Sequence, residues 1–238
     1  VEELSGSFEQ RSSGTLIMAI ILSGVVVLAL AGHYSFFGKP SADLVLIESW
    51  PEILLTALLC GVLGGLFSRA LISGSRRLAG IVREHPYRFA LGCGLLLAML
   101  GFVTGGATYG SGYEQARALL EEEAIGNWWF PLTKMLSILV TYFSGIPGGL
   151  FSPSLATGAG IGAAVAASLA DTQTVGLTVV GMAAFLAAVI QRPITSFVIV
   201  LELTGNHHEL LLSLMVGAFL ATAVSKLFQP QPIYDALA

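Results

Sequence analysis

Uncharged stretches of about the length of a membrane-crossing helix recur along the 238-residue chain. A helix needs about 20 mostly apolar residues to cross a bilayer, and fewer where it stops short of the far side. The stretches predict helices over residues 14–32, 53–68, 89–109, 172–190, 194–203 and 210–225. We expect the second of them to continue past Arg69 and Arg77 into water. Since residues 194–203 are too few to cross alone, the pattern predicts partial or broken helices beside complete ones.

The longest uncharged stretch, residues 135–170, contains its own interruption. It is too long for one membrane helix, and "SGIPGGLFSPSLATGAGIG" at residues 144–162 places two prolines and six glycines inside it. Pro147 is expected to end the first helix, because proline lacks the N–H that continues the ladder. Pro153 suits the first turn of a second helix, where a missing N–H costs nothing. The sequence therefore predicts two helices, the second beginning near Leu150.

A helix that begins in the middle of a membrane has a chemical consequence. Non-helical backbone is tolerated there only where protein buries it or where it lines a watery cavity. The free N–H groups and the partial positive charge of the helix N-terminus would bind an anion without a charged side chain. No Lys or Arg lies within residues 135–170, which suits an ion that must also be released. The alternative is a structural kink without a ligand.

Composition indicates a membrane protein. The chain is 55% hydrophobic and 11% charged, with a mean hydropathy of +0.81, whereas soluble domains carry about 25% charged residues. The formal net charge is -4 and no basic cluster is large enough to follow a phosphate backbone, so nucleic-acid binding is excluded. Cys60 and Cys93 lack metal-ligand spacing, and His207 and His208 lack a third ligand. We therefore expect no metal site.

The distribution of charge predicts an orientation. Five arginines between residues 69 and 88 place that loop, and with it residues 1–13, on the cytoplasmic side. The acidic segment 119–129 then lies outside. Its three glutamates are interpreted as a solvated helix face; they are Glu121, Glu122 and Glu123. Glu202 is interpreted as an acid at an extracellular helix end, near water.

Three motifs together resemble one known family. "GIPGGLFSPSLATGAGIG" resembles the G-G-[IL]-F-x-P signature of the CLC family of chloride channels and chloride/proton exchangers. "LAAVIQRPITSFVIVLELTGN" at 186–206 is similar to the helix pair that follows in that family, and "QPIYDALA" at 231–238 to its K-P-L-Y-x-x-L element. The opening "VEELSGSF" resembles the paired-glutamate segment of the exchangers. The resemblance spans essentially the whole chain, in the family's order and spacing.

The resemblance implies a fold. The expected class is an all-α multi-pass membrane protein that corresponds to the second inverted repeat of the CLC fold, with broken and partial-span helices. Two signatures of the family's first half, G-S-G-I-P and G-R-E-G-P, do not occur in the sequence. We therefore expect residues 1–238 to be the C-terminal half of a CLC membrane domain, a fragment without the first half and the end of the last helix.

The resemblance also implies an anion site. In the family, two backbone N–H groups after the paired glycines coordinate the central chloride, and by motif these belong to Leu150 and Phe151. Tyr234 matches the tyrosine whose hydroxyl donates to the same ion; outside that motif it would be read as an interfacial tyrosine. The supporting loop consists of Gly148, Gly149 and Pro153.

Glu3 is the expected proton-transfer residue. "VEEL" resembles the exchanger segment whose second glutamate collects protons from the cytoplasm, and the charge bias places it on that side. Partial burial suits this role, because it raises a carboxyl pKa towards neutrality. The alternative for Glu3 is an ordinary solvated acid beside Glu2 at a helix end.

The expected function is chloride transport, most simply as a chloride/proton antiporter. A passive chloride channel of the same fold and a non-transporting membrane subunit are the alternatives. No enzyme activity and no cofactor are expected, with chloride and protons as the transported ions. The resemblance implies a homodimer in a bacterial inner membrane, and residues 14–32 and 193–225 are the candidate interface. Glycines four apart, Gly61 with Gly65 and Gly158 with Gly162, predict closely packed helices.

Overall fold

The computed structural model describes residues 10–32, 36–38, 49–146, 148–169, 173–205 and 208–237, and within these ranges all regular structure is helical. The α-helices of the described chain are α1 (Gln10–Ala31), α2 (Trp50–Glu84), α3 (Pro86–Val103), α4 (Tyr113–Leu120), α5 (Trp129–Phe143), α6 (Phe151–Leu169), α7 (Thr174–Ile190), α8 (Pro193–Leu203), α9 (Leu211–Phe228) and α10 (Ile233–Leu237). A short 3-10 turn, His208–Leu210, precedes α9.

Helix α7 is the centre of the fold. Its sequence, "TVGLTVVGMAAFLAAVI", is apolar on every face, and a helix of that kind belongs inside a protein. Every residue from Val175 to Ile190 is buried. Helices α2, α6, α8 and α9 pack around α7 and supply the surfaces that bury it.

Glycines set the closest helix crossings. A Cβ on Gly158 would collide with the carbonyl of Gly181, and a Cβ on Gly162 would collide with the carbonyl of Leu177. A Cβ on Gly61 of α2 would lie 2.9 Å from a backbone oxygen of α9. The prediction that glycines four apart pack helices closely is therefore confirmed, and the backbones approach as membrane helices do at small-residue interfaces.

Polar side chains tie the end of α7 to α9. Gln191 ends α7 in the left-handed conformation, with a φ of 56°, and Pro193 starts α8. The Gln191 side-chain nitrogen donates to the carbonyl of Gln229 at 2.6 Å, and the Ser225 hydroxyl donates to the carbonyl of Ala188 at 2.6 Å. These bonds fix the chain that leads to α10.

Several helices are suited to a membrane. In the part of the chain that the structure describes, three helical stretches are long and apolar enough to cross a membrane by length and composition; they are Trp50–Glu84, Pro86–Val103 and Leu211–Ala236. Helix α2 has 35 residues, so at 1.5 Å per residue it is about 52 Å long, more than the roughly 30 Å of a hydrocarbon core. Its continuation past Arg69 and Arg77 is confirmed.

Apolar side chains are exposed on several described helices, α3 among them; those of α1, α8 and α9 bear on the predicted interface. Every described side chain of α1 is exposed, and α1 packs closely against no other described helix. Helices α8 and α9 also present exposed apolar residues, among them Ile194 and Leu212. These surfaces fall in the two ranges predicted from the sequence as an interface, 14–32 and 193–225.

Two sequence-based expectations are wrong in detail. Helix α3 ends at Val103 instead of 109, because Gly105 and Gly106 have φ values of 61° and 89°, which a right-handed helix does not contain. The three glutamates of "EEE" do not form a helix face. Helix α4 ends at Leu120, and Glu122, with a φ of 57°, lies in an exposed turn after it.

Candidate anion-binding site

The predicted division of the longest uncharged stretch into two helices is confirmed. Helix α5 ends at Phe143, and Gly145 then takes a φ of 78°, which turns the chain away from the helix axis. Helix α6 begins at Phe151, one residue from the expected start. Pro147, which was predicted to end the first helix, lies outside the described residues.

The start of α6 presents unpaired backbone donors. Its first backbone bond runs from the N–H of Ser154 to the carbonyl of Leu150, at 3.0 Å. The N–H groups before Ser154 have no acceptor within the helix, because each would need a carbonyl four residues back. Pro153 occupies the first turn and has no N–H to leave unpaired. The donors at this end are therefore the N–H groups of Leu150, Phe151 and Ser152.

These donors lie on a cavity. A space of about 490 Å³ is lined by the whole segment from Gly148 to Pro153. A Cβ placed on Gly148 or Gly149 would meet none of the described atoms within 4 Å, so among the described residues the glycine pair borders free space. Leu150 is only 4% exposed and belongs to the buried apolar core, and it is also one of the residues that line the cavity.

Tyr234 lies beside the same segment. Its ring stacks on that of Phe151, with centroids 6.2 Å apart and an interplanar angle of 22°. Since α10 carries Tyr234 and α6 carries Phe151, the stack brings together residues more than 80 positions apart in sequence. The structure thus groups Leu150, Phe151 and Tyr234, the three residues predicted as chloride ligands. Their role as ligands stays a prediction.

A lysine borders the cavity as well. Lys134 on α5 is 1% exposed, and its ammonium donates to the carbonyls of Thr108 at 3.0 Å, Tyr109 at 3.3 Å and Gly110 at 2.9 Å. It lines the same space as the Gly148–Pro153 segment. The sequence-based argument that no cation is close to the anion site is therefore wrong. Lys134 lies one residue before the uncharged stretch, and the packing of α5 against α6 brings it to the cavity.

A second cavity of about 570 Å³ lies beside α4, and its charges differ. Glu114, Glu121 and Glu123 line it together with Arg117, whose Nε donates to Glu121 at 2.8 Å. This hydrogen bond raises the pKa of the Arg117 guanidinium above its ordinary value. Excess negative charge opposes an anion, so the cavity at Gly148–Pro153 is the candidate site.

The sequence singled out two further acids, Glu3 and Glu202. Glu3 lies outside the described residues. Glu202 is exposed in the last turn of α8, consistent with its interpretation as an acid near water.

Comparison with known proteins identifies the family. The voltage-gated chloride channel family matches residues 1–226. The chain belongs to the CLC family. Its helical order agrees with a solved CLC structure, a CLC-type fluoride/proton antiporter, with a TM-score of 0.78 at 21% identity; the match covers 99% of this chain and 58% of that one. At this identity the likeness shows a shared fold.

Curated CLC relatives carry two kinds of name. The H(+)/Cl(-) exchange transporter ClcA of Vibrio parahaemolyticus is 28% identical, over all of this chain and 53% of its own length. The voltage-gated ClC-type chloride channel ClcB of Escherichia coli is also 28% identical, over 98% of this chain and 57% of its own length. The chain thus spans about half the length of the curated relatives it matches, and it has an exchanger and a channel among them.

Sequence reasoning missed Lys134. A signal for it was present, because a single lysine within an otherwise uncharged helix, residues 129–143, is a candidate functional residue by default. Its partners were not readable from the sequence. They are backbone carbonyls of a loop about 25 residues away, and every residue type carries such a carbonyl.

Proposed function

We propose that this chain is the second half of a CLC protein that moves chloride across a membrane in exchange for protons. The observation that carries the proposal is the N-terminus of α6, which opens onto a cavity at Leu150 and Phe151. Backbone N–H groups at a helix N-terminus are suited to an anion, since the helix dipole adds a partial positive charge.

The chemistry of the site suits transport. Leu150 and Phe151 offer neutral donors, and a neutral site holds an anion less tightly than one that contacts it with a charged side chain. The Tyr234 ring stacks on Phe151, which supports the proposal that this tyrosine, matched by motif to the ion-binding tyrosine of the family, contributes to the coordination of the ion. This chain spans about half the length of the curated relatives it matches. We therefore expect the first repeat to supply the other wall of the pathway.

Glu3 supports exchange over passive conduction. The segment "VEEL" is similar to the exchanger element, and family channels usually carry an apolar residue at the position of Glu3. An exchanger must take up cytoplasmic protons as well as bind chloride, and a partly buried carboxylate can do so near neutral pH.

The assembly and the membrane follow the family. We infer a homodimer with one pathway per subunit, in which the exposed apolar faces of α1, α8 and α9 meet a second copy. A bacterial inner membrane is the proposed location, and the bacterial origin of the relatives supports it. An intact protein that runs only as a monomer in detergent at every concentration would contradict the dimer.

The experiment reconstitutes the intact protein in liposomes and records chloride and proton fluxes together. We expect chloride efflux above that of empty vesicles, coupled to proton influx. Glu3→Gln should abolish the proton flux while chloride continues to move, and Glu2→Gln is the matched control that should retain coupling. Absence of chloride efflux would refute transport. Chloride movement without protons in the unmodified protein would favour the channel.

A further inference from the structure

Lys134 is held by carbonyls instead of a carboxylate. Its ammonium donates to three of them, on Thr108, Tyr109 and Gly110, at 2.9 to 3.3 Å. An ammonium has three hydrogens, and this cage supplies an acceptor for each of them. Within the described residues the only ion pair is Arg117–Glu121, which is exposed.

Whether carbonyls or a carboxylate hold the ammonium decides how far its electrostatic potential extends. A lysine paired with a carboxylate is a dipole, whose potential falls quickly with distance. A lysine held by neutral carbonyls is solvated but keeps a net charge of +1, and in a low-dielectric interior its potential extends across a cavity. Lys134 is 1% exposed, so bulk water and its ions screen this charge weakly.

The loop that forms the cage is shaped for this lysine. Gly110 and Gly112 have φ values of 57° and 81°, which turn the chain so that successive carbonyls face one point. A Cβ on Gly112 would lie 3.0 Å from the Lys134 Cε and 2.6 Å from the Cβ of Ala156 on α6. Any side chain at Gly112 would therefore collide with Ala156 and crowd the Lys134 side chain.

Lys134 and the start of α6 share one cavity. Both line the space of about 490 Å³ that borders Leu150 and Phe151. We propose that Lys134 is the fixed positive charge of the anion site. It attracts the bound anion across the cavity, while the carbonyl cage keeps its N–H groups from binding the ion directly. The inference rests on the proposed function, because it assigns a charge to that same site.

The arrangement reconciles affinity with release. Direct contact between an ammonium and the ion would hold it tightly, whereas a caged ammonium contributes attraction without a bond that must break. At a separation of about 10 Å and an effective dielectric of about 20, a unit charge changes anion binding roughly 10- to 20-fold.

The test measures bromide and chloride affinity by calorimetry on the intact protein in detergent. Lys134→Gln keeps amide donors for the carbonyls but removes the charge, and it should bind each anion roughly 10- to 20-fold more weakly. Lys134→Arg keeps the charge and should restore affinity to within about twofold. Lys226→Gln removes a charge from an exposed lysine on α9 and is the matched control, with affinity unchanged. Equal affinity in Lys134→Gln and the unmodified protein would overturn the proposal.

A second pair of variants leaves Lys134 in place, in case Lys134→Gln does not fold. Ser111 lines the same cavity, is exposed, and accepts a hydrogen bond from the N–H of Tyr113. Ser111→Asp adds a negative charge and should weaken anion binding roughly tenfold, while the isosteric Ser111→Asn should change it less than about twofold. Equal affinity in the two would show that a full charge at the wall of this cavity does not act on the bound anion, and it would overturn the proposal. If the unmodified protein binds no anion, the proposed function fails first; if it binds and these variants do not differ, only this inference fails.

Discussion

Helix α6 and the turn before it carry two glycine pairs in opposite surroundings. Cβ atoms on Gly158 and Gly162 would collide with backbone carbonyls of α7, whereas Cβ atoms on Gly148 and Gly149 would meet nothing within 4 Å. At the first pair, another helix occupies the space that side chains would need. At the second pair, the corresponding space is the cavity.

The difference separates structure from function within one segment. Glycine that is packed against backbone serves helix association, and its replacement should affect folding. Glycine at an open cavity wall has no packing reason, so its replacement should affect what occupies the cavity. Sequence alone shows six glycines in 19 residues and no way to sort them.

The largest effect is expected at the packed pair. Gly162→Ala places a methyl group on the Leu177 carbonyl, so α6 and α7 must separate, and overpacking of this kind costs about 1–3 kcal/mol or more. Thermal unfolding of the purified intact protein should show a clear loss of stability. Gly92→Ala on α3, where a Cβ meets nothing within 4 Å, is the matched control and should be neutral or slightly stabilising. Equal stability of the two variants would refute the packing role.

The next effect is expected at Tyr234, beside the open pair. Tyr234→Phe keeps the ring that stacks on Phe151 and removes the hydroxyl. A hydrogen bond to a charged group contributes about 1.5–3 kcal/mol, so chloride affinity should fall roughly tenfold or more. Tyr87→Phe, at an exposed tyrosine of α3, is the control. Unchanged affinity in Tyr234→Phe would return Tyr234 to the interpretation as an interfacial tyrosine.

A smaller effect is expected at the open pair itself. Gly148→Ala should leave stability within about 0.5 kcal/mol, since its Cβ meets free space. Chloride affinity should fall a few-fold, because the methyl group narrows the cavity beside the donors. If Gly148→Ala instead destabilises the protein as much as Gly162→Ala, the contrast between the two pairs is wrong.

The smallest effect on binding is expected at Leu150. The proposed site uses the backbone N–H of this residue, and its side chain belongs to the buried apolar core. Leu150→Met conserves volume, so stability should change by less than about 1.5 kcal/mol and chloride affinity by less than about twofold. A large loss of affinity with intact stability would show that the side chain, and not the backbone, contacts the ion.

Much of the fold follows from the sequence, because the length of uncharged stretches and the placement of proline act locally. The break before α6 is of this kind, and so is the start of α8 at Pro193. The end of α3 was misplaced because an uncharged stretch also accommodates a loop of glycines at positive φ, such as Gly105. Lack of charge indicates the membrane, while backbone conformation decides where the helix stops.

The site could also be predicted only in part, because part of it is a local motif and part depends on long-range packing. The donors of Leu150 and Phe151 belong to one local motif, and the resemblance to the CLC family added Tyr234. The cage around Lys134 depends on the packing of α5 against the loop after α3, which brings together carbonyls that carry no sequence signal. Contacts made by backbone across long sequence distances are the part that residue types do not reveal.

The central claim is that backbone N–H groups at the start of α6 bind an anion. Its most direct measurement is anomalous diffraction from crystals of the intact protein soaked in bromide. The account predicts an anomalous peak within hydrogen-bonding distance of the N–H groups of Leu150 and Phe151, and loss of that peak when excess chloride is added. Bromide found only elsewhere, with no density beside these two residues, would contradict it.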